Sequence, residues 1–347
     1  MFKIGDYEIG ETSPCFIIAE LSANHNGDID IAIETIRAAK RAGADAIKLQ
    51  TYTADTITLN SRKDDFKIGS GTIWDGRYLH DLYKEAYTPW EWHKQLFDVA
   101  KEEGLVTFSS PFDHSAVDFL EKLDVPAYKI ASFEITDIAL IEYVASKGKP
   151  VIISTGIAEY ADIELAIEAC KRVGNDTVAL LKCTSSYPAP IDQANMIMIQ
   201  KMATDFNVIT GLSDHTLGDT VAMVAVSLGA KIIEKHIILD KSIGGPDASF
   251  SLDEAEFKNM VDAVRRAESA IGVTSYSLTE KQRSGANFKR SLYISREMKI
   301  GDTATHDNIR SVRPGYSLHP KFLKDIIGKR ALKAFSLGDR ISLDDFK

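Results

Sequence analysis

The stretch "VIISTGIAEYADIELAIEACKRVGNDTVALLKCTS", residues 151–185, holds two apolar runs with an amphipathic segment between them. "VIISTG" (151–156) and "VALLKCTS" (178–185) have the length and aliphatic content of buried strands. "DIELAIEACKRVG" (162–174) repeats apolar residues at i, i+3 and i+4 and stops at Gly174, the residue type that ends helices. A strand, a helix, a glycine and a second strand make parallel strands with a crossover helix. The same unit recurs outward in both directions. Strands are predicted at "CFIIAEL" (15–21), "AIKLQTY" (46–52), "VTFSSP" (106–111), "AYKIAS" (127–132), "VITGLSD" (208–214) and "KIIEKHI" (231–237). Helical spacing recurs at 28–43, 90–104, 114–123, 139–148 and 217–230, with Gly43, Gly104, Gly148 and Gly229 at or near the ends. Strand and helix alternating through eight strands predict an α/β fold of the (β/α)₈ TIM-barrel class.

Composition narrows the function. With 347 residues, 44% apolar and 26% charged, the chain has room for one large domain or a large and a small one. A net charge of −9 without any basic run argues against nucleic acid as a partner. The apolar run "VAMVAVSLGA" is too short to span a bilayer, and "MFKIGDYEIG" lacks the apolar core of a signal peptide, so no membrane partner is expected. Cys15, Cys170 and Cys183 share no metal-binding or C-x-x-C spacing and have apolar neighbours. They read as buried thiols in a reducing cytoplasm. A nucleophilic Cys183 is the lesser reading.

Chemistry is expected at the C-terminal ends of the barrel strands, where this fold places its active sites. Those ends are unusually polar. They offer Glu20 with Asn24 and His25, Lys48 with Gln50, Ser109 and Ser110, Lys129 with Ser132, Ser154 and Thr155, Lys182 to Ser185, Ser213 to His215, and Glu234 to His236. Proximity to water explains a few serines, but not two lysines and two histidines directed at one mouth. Lys48 and Lys129 with the surrounding hydroxyls suit a small anion bearing phosphate or carboxylate. His215 and His236, on adjacent strands, suit a shared divalent metal, with hydrogen-bonded core histidines as the alternative. Two protein ligands would leave positions for water and a substrate carbonyl. Glu20, and Asp247 in the loop "GGPDAS", are the carboxylates placed to move protons or hold hydroxyls.

Beyond residue 272 the alternation stops. Residues 273–290 have the composition of a linker. In the remainder, "KIGDTATHDNI" (299–309) echoes "SLGDRISLDDF" (336–346), which predicts a small pseudo-symmetric domain over 291–347.

The motifs taken in order carry a family resemblance. "AELSANHNGD", "KLQ", "SSPFD", "YKIAS", "ISTG", "CTSSYP", "GLSDHT", "EKHI" and "GGPDASFS" resemble the motif series of the sialic acid synthases. "VRPGYSLHP" is similar to the signature of their C-terminal antifreeze-like (SAF) domain, and "WDGRYLHDLYKEAYTPWEWH" (74–93) looks like the pseudaminic acid synthase branch. The resemblance covers essentially the whole chain. It implies condensation of phosphoenolpyruvate with an N-acetylated amino sugar, here 2,4-diacetamido-2,4,6-trideoxy-L-altrose, releasing phosphate by C–O cleavage. It further implies that His215 and His236 hold manganese, with magnesium or cobalt as alternatives. Lys48, Ser110, Lys129, Ser132, Ser154, Ser185 and Ser213 would surround phosphoenolpyruvate, while Glu20, Gln50, Tyr187 and Asp247 would face the sugar. The family usually has Asn where this chain has Ser185. Arg313 would complete the partner's site in a domain-swapped homodimer. Other expectations from the sequence are an N-acetylneuraminate or legionaminate synthase, a barrel aldolase working through a Schiff base, and a non-catalytic carbohydrate-binding protein.

Overall fold

The computed structural model describes residues 1–69 and 71–347, which divide into two compact units, 1–272 and 273–347. In the first, eight parallel strands close into a barrel in chain order: β1 (Phe16–Glu20), β2 (Ala46–Thr51), β3 (Val106–Pro111), β4 (Tyr128–Ile130), β5 (Val151–Ser154), β6 (Val178–Cys183), β7 (Ile209–Asp214) and β8 (Ile232–His236). The TIM-barrel expectation is met, with every predicted strand present; β3 keeps its predicted bounds and the others are shorter, most of all β4. Closure comes from β8 pairing with β1, which sets His236 beside Glu20.

The principal crossover helices are α1 (Ile29–Arg41), α2 (Trp90–Glu102), α3 (His114–Glu121), α4 (Ile138–Ala145), α5 (Tyr160–Arg172), α6 (Met198–Phe206) and α7 (Thr220–Ser227), followed by α8 (Glu254–Ile271). Side-chain caps start several of them. Asp28, Asp113 and Asp137 accept from backbone N–H groups in the first turns of α1, α3 and α4, and Asp253 forms a capping box with Glu256 on α8. Three features escaped the reading of the sequence. One is α6. Another is a hairpin, Phe2–Ile4 with Tyr7–Ile9, whose Ile4 and Ile9 share a core with Phe16, Ile18 and Phe108 of the barrel. The third is a long β2–α2 connection, which holds short helices at Ala54–Ile57 and Leu79–Ala86.

The second unit has its own core, built on Leu292, Ile294, Met298, Ile309, Ile326, Phe335 and Phe346. Its strands Ser291–Ile294 and Ile309–Val312 pair antiparallel. The sequence half-repeat is a structural one. Asp302 accepts from Lys299 N at 2.7 Å, and Asp339 accepts from Ser336 N at the same 2.7 Å. Residues 273–290, read as a linker, group with this unit and contain a helix at Glu280–Gly285 started by a Thr279–Gln282 capping box.

Candidate active site

Strand alternation decides what enters the barrel mouth. Residues two apart share a face, so Glu20, Lys48, Gln50, Lys129, Ser154, Cys183, Ser213, Glu234 and His236 line a cavity of about 520 Å³. Loop residues Ser132, Tyr187, His215 and Asp247 complete the polar side. Two predicted residues lie just behind this lining. Ser110 accepts a hydrogen bond from Lys48 Nζ at 3.2 Å, and Ser185 donates to Ser132 at 2.9 Å. Arg313 belongs to the second unit and is exposed there.

Other polar strand-end residues serve the scaffold, contrary to the expectation that all such ends face the mouth. Asn24 donates to Ile237 O and Ser251, and His25 bonds Thr88. Ser109 bonds Thr51 on the outer face. Asp214 and Lys235, one residue out of phase with Ser213 and Glu234, form a buried ion pair at 2.6 Å. Lys235 also donates to Thr216 O, and Asp214 accepts from Thr216 N, so the pair fixes the chain on both sides of His215.

Inside the cavity the charged groups form a continuous string. Asp247 accepts from Ser22 at 2.5 Å, Gln50 donates to Ser22 at 3.0 Å and to Glu20 at 2.9 Å, and Glu20 pairs with Lys48 at 2.5 Å. Glu234 lies 3.8 Å from Lys48 and 3.4 Å from Lys129. Glu234 was named among the polar strand ends but was given no role in the expected site. It gives each lysine a carboxylate neighbour. Burial pushes Glu20 up to about 7, with Glu234 adding to the rise and Lys48 opposing it. Burial acts on Glu234 in the same direction, but Lys129 and Lys48 outweigh it and hold the carboxyl low. Lys129 is lowered by burial, whereas the close Glu20 carboxylate raises Lys48 despite burial. Glu134, which was not named, lines the cavity and is pushed up to about 7 by burial.

The two imidazoles stand with ring centroids 5.3 Å apart. Burial lowers His215 to about 4 and His236 well below its usual value, so both are neutral and ready to act as ligands. His236 Nδ1 is buried without a hydrogen-bond partner among the described residues, and Asp247 at 3.9 Å is too far to supply one. This donor set fits a divalent cation. Among the described residues no cluster of three His, Cys, Asp or Glu side chains adds to it, so further coordination positions would fall to water or substrate. Cys183 lies at the wall with its thiol pushed up by burial, which leaves it unreactive, and the three cysteines are free and buried as expected.

Much of the remaining lining is apolar. Ile57, Ile68, Trp74, Leu79 and Leu82 come from the β2–α2 connection, and Phe112, Phe133 and Phe250 from other loops. Nothing in the reading of the sequence anticipated this wall.

Comparisons with known proteins agree with this geometry. The NeuB family model matches residues 35–276 and the SAF domain model matches residues 289–347. The chain is 50% identical over 332 residues to a pseudaminic acid synthase of Campylobacter jejuni, covering 96% of each chain. It is 45% identical to a pseudaminic acid synthase of Helicobacter pylori, over 96% of this chain and 98% of that one. Among solved structures, an N-acetylneuraminic acid synthetase of Leptospira borgpetersenii superposes with a TM-score of 0.73 at 30% identity, over 82% of this chain and 94% of that one.

Proposed function

We propose that this chain, which belongs to the NeuB family and carries a SAF domain, is an enzyme that makes pseudaminic acid from phosphoenolpyruvate and 2,4-diacetamido-2,4,6-trideoxy-L-altrose. The observation that carries the reading is the meeting of Lys48, Lys129, His215 and His236 in one cavity, in a chain half identical to a synthase of that name.

Lys48 and Lys129, with the hydroxyls of Ser132, Ser154 and Ser213, hold the phosphate and carboxylate of phosphoenolpyruvate. The incoming anion takes over the lysine contacts that Glu234 and Glu20 make in the free enzyme. His215 and His236 would hold a divalent metal, manganese by family resemblance, which when bound would supply Lewis-acid polarisation of the acceptor aldehyde. Gln50, Tyr187 and Asp247 position the open-chain sugar. The enol carbon C3 of phosphoenolpyruvate then bonds to the aldehyde carbon, whose C=O π pair moves to the oxygen; that oxygen takes up a proton and becomes the product hydroxyl. Water adds at the cationic C2, its proton passing to Glu20 or Asp247, and the new C2 hydroxyl loses its remaining proton to form the ketone as the C2–O bond breaks and phosphate departs with the bridging oxygen. Burial raises both carboxyls, Glu20 to about 7, which suits Glu20 to take up a proton near neutral pH.

Phosphate release from phosphoenolpyruvate, measured with a panel of N-acetylated aldoses, tests the assignment. The diacetamido trideoxy sugar is expected to be consumed fastest, with activity lost on chelation and restored by metal. Preference for N-acetylmannosamine or for a legionaminate precursor would reassign the acceptor. Trapping of substrate on a lysine by borohydride would point to an aldolase.

By the same family resemblance the chain forms a homodimer, and Arg313 of one chain serves the barrel of its partner.

A further inference from the structure

We infer that the β2–α2 connection, described over residues 53–69 and 71–88, is a specificity cap whose Ile57, Ile68, Trp74, Leu79 and Leu82 form an apolar subsite for the deoxygenated C6 end of the acceptor. The inference rests on the function proposed above and adds to it the part of the substrate that this wall selects.

The connection is far longer than a βα loop needs, and long ordered loops in compact domains are usually functional. It is tied down at many points. His80 bonds Asp55 at 2.9 Å, and Arg62 grips Asp81 at 2.5 and 3.0 Å. Ile68 N donates to Arg77 O at 2.8 Å and Gly76 N to Ile68 O at 3.0 Å. Trp74 Nε1 reaches across the mouth to Pro246 O at 3.1 Å, beside Asp247. These bonds hold the wall close to the reacting groups. The Trp74 ring packs on Tyr187 at 5.5 Å between centroids, and Tyr187 packs on His215 at 4.6 Å.

A six-carbon acceptor with its aldehyde at the histidines therefore lays its far end against this wall. The four aliphatic side chains offer no polar atom, and the one donor of Trp74 is already spent on Pro246. A methyl group at C6 gains contact with these five side chains, whereas a hydroxymethyl group set against them gives up water and finds no partner among them. Sugars with a hydroxyl on every carbon are rejected on chemistry rather than on size.

Two substitutions separate polarity from volume. Ile68→Val and Ile68→Thr remove similar bulk and differ by a methyl against a hydroxyl, and Ile68 is only partly buried, so both are expected to fold. Ile57→Val and Ile57→Thr form a second pair at another partly buried position. The measurement is kcat/KM at saturating phosphoenolpyruvate for the diacetamido trideoxy sugar and for its 6-hydroxy counterpart. The unaltered enzyme should favour the deoxy sugar by roughly 10- to 200-fold, the range that one apolar group supplies. The Val variants should keep that ratio to within about threefold, and the Thr variants should lower it by about tenfold, with KM for phosphoenolpyruvate unchanged. A Thr ratio equal to the Val ratio, or an unaltered enzyme indifferent to the 6-hydroxyl, overturns the cap. If the enzyme instead prefers another N-acetylated sugar, the acceptor assignment fails, and the same Thr-against-Val comparison on that sugar and its 6-deoxy form decides the cap separately.

Discussion

Burial disfavours the charged form of an imidazole, and His93 shows how the neutral ring then satisfies both nitrogens. Nδ1 faces Pro89 O at 3.1 Å and must donate, so Nε2 accepts from the Thr51 hydroxyl at 2.8 Å. Thr51 in turn accepts from Ser109 at 2.6 Å. Burial lowers His93 and His25 from 6.5 to about 4. Between those values the unfolded chain binds protons that the folded chain refuses, so the stability from neutral His93 is fully present above about pH 6.5 and drains away as pH falls. Urea unfolding at pH 7 and pH 5 should show a loss that is smaller by about 1–2 kcal/mol in His93→Gln, which cannot titrate. An unchanged pH dependence would mean that His93 ionises freely. The polar residues that face the mouth were legible for a related reason. Alternation puts Lys48 with Gln50, Ser213 with His215 and Glu234 with His236 on one side. Glu234 was therefore named at the mouth, but its role stayed hidden, because a carboxylate looks out of place in an anion site until its lysine partners are seen.

Two glycines at the level of strands and loops show opposite consequences of close approach. A Cβ on Gly156, after β5, would meet Ser185 Oγ at 2.1 Å and Ser132 Oγ at 2.7 Å, both ends of side chains that can rotate away. A Cβ on Gly211 in β7 would meet the backbone oxygen of Ile232 at 2.4 Å and Leu181 Cδ2 at 2.7 Å, where the barrel wall cannot yield cheaply. Gly156→Ala should therefore fold and melt nearly normally while raising KM for phosphoenolpyruvate about tenfold, since it breaks the Ser132–Ser185 contact, a loss of about 1.4 kcal/mol of binding. Gly211→Ala should lose about 1–3 kcal/mol of stability. Thermal melts and steady-state kinetics on both variants check the contrast. The barrel elements were readable because buried parallel strands are apolar up to their ends and most of the helices stop at or near a glycine. The elements that escaped lack that mark. α6 ends at Asn207 and follows a proline-containing stretch, and the two short helices of the β2–α2 connection are held by ion pairs and hydrogen bonds from distant residues.

At the scale of the molecule, two units with separate cores account for the change of sequence character at residue 272, and the twin aspartate turns account for the half-repeat. The proposed homodimer is checked by complementation. Arg313→Ala and His236→Ala homodimers should each be nearly inactive, and mixing them under subunit exchange should restore roughly a quarter of normal activity by site counting. No recovery, with exchange verified by mass spectrometry, would assign Arg313 to its own barrel or to none. Barrel closure joins Phe16–Glu20 to Ile232–His236, a strand that is synthesised long after it. During synthesis β1 therefore waits with an open edge while its partner is still being translated. The polypeptide is most exposed to aggregation and to chaperone capture in that interval, and the pairing that brings Glu20 beside His236 is also the step that ends it.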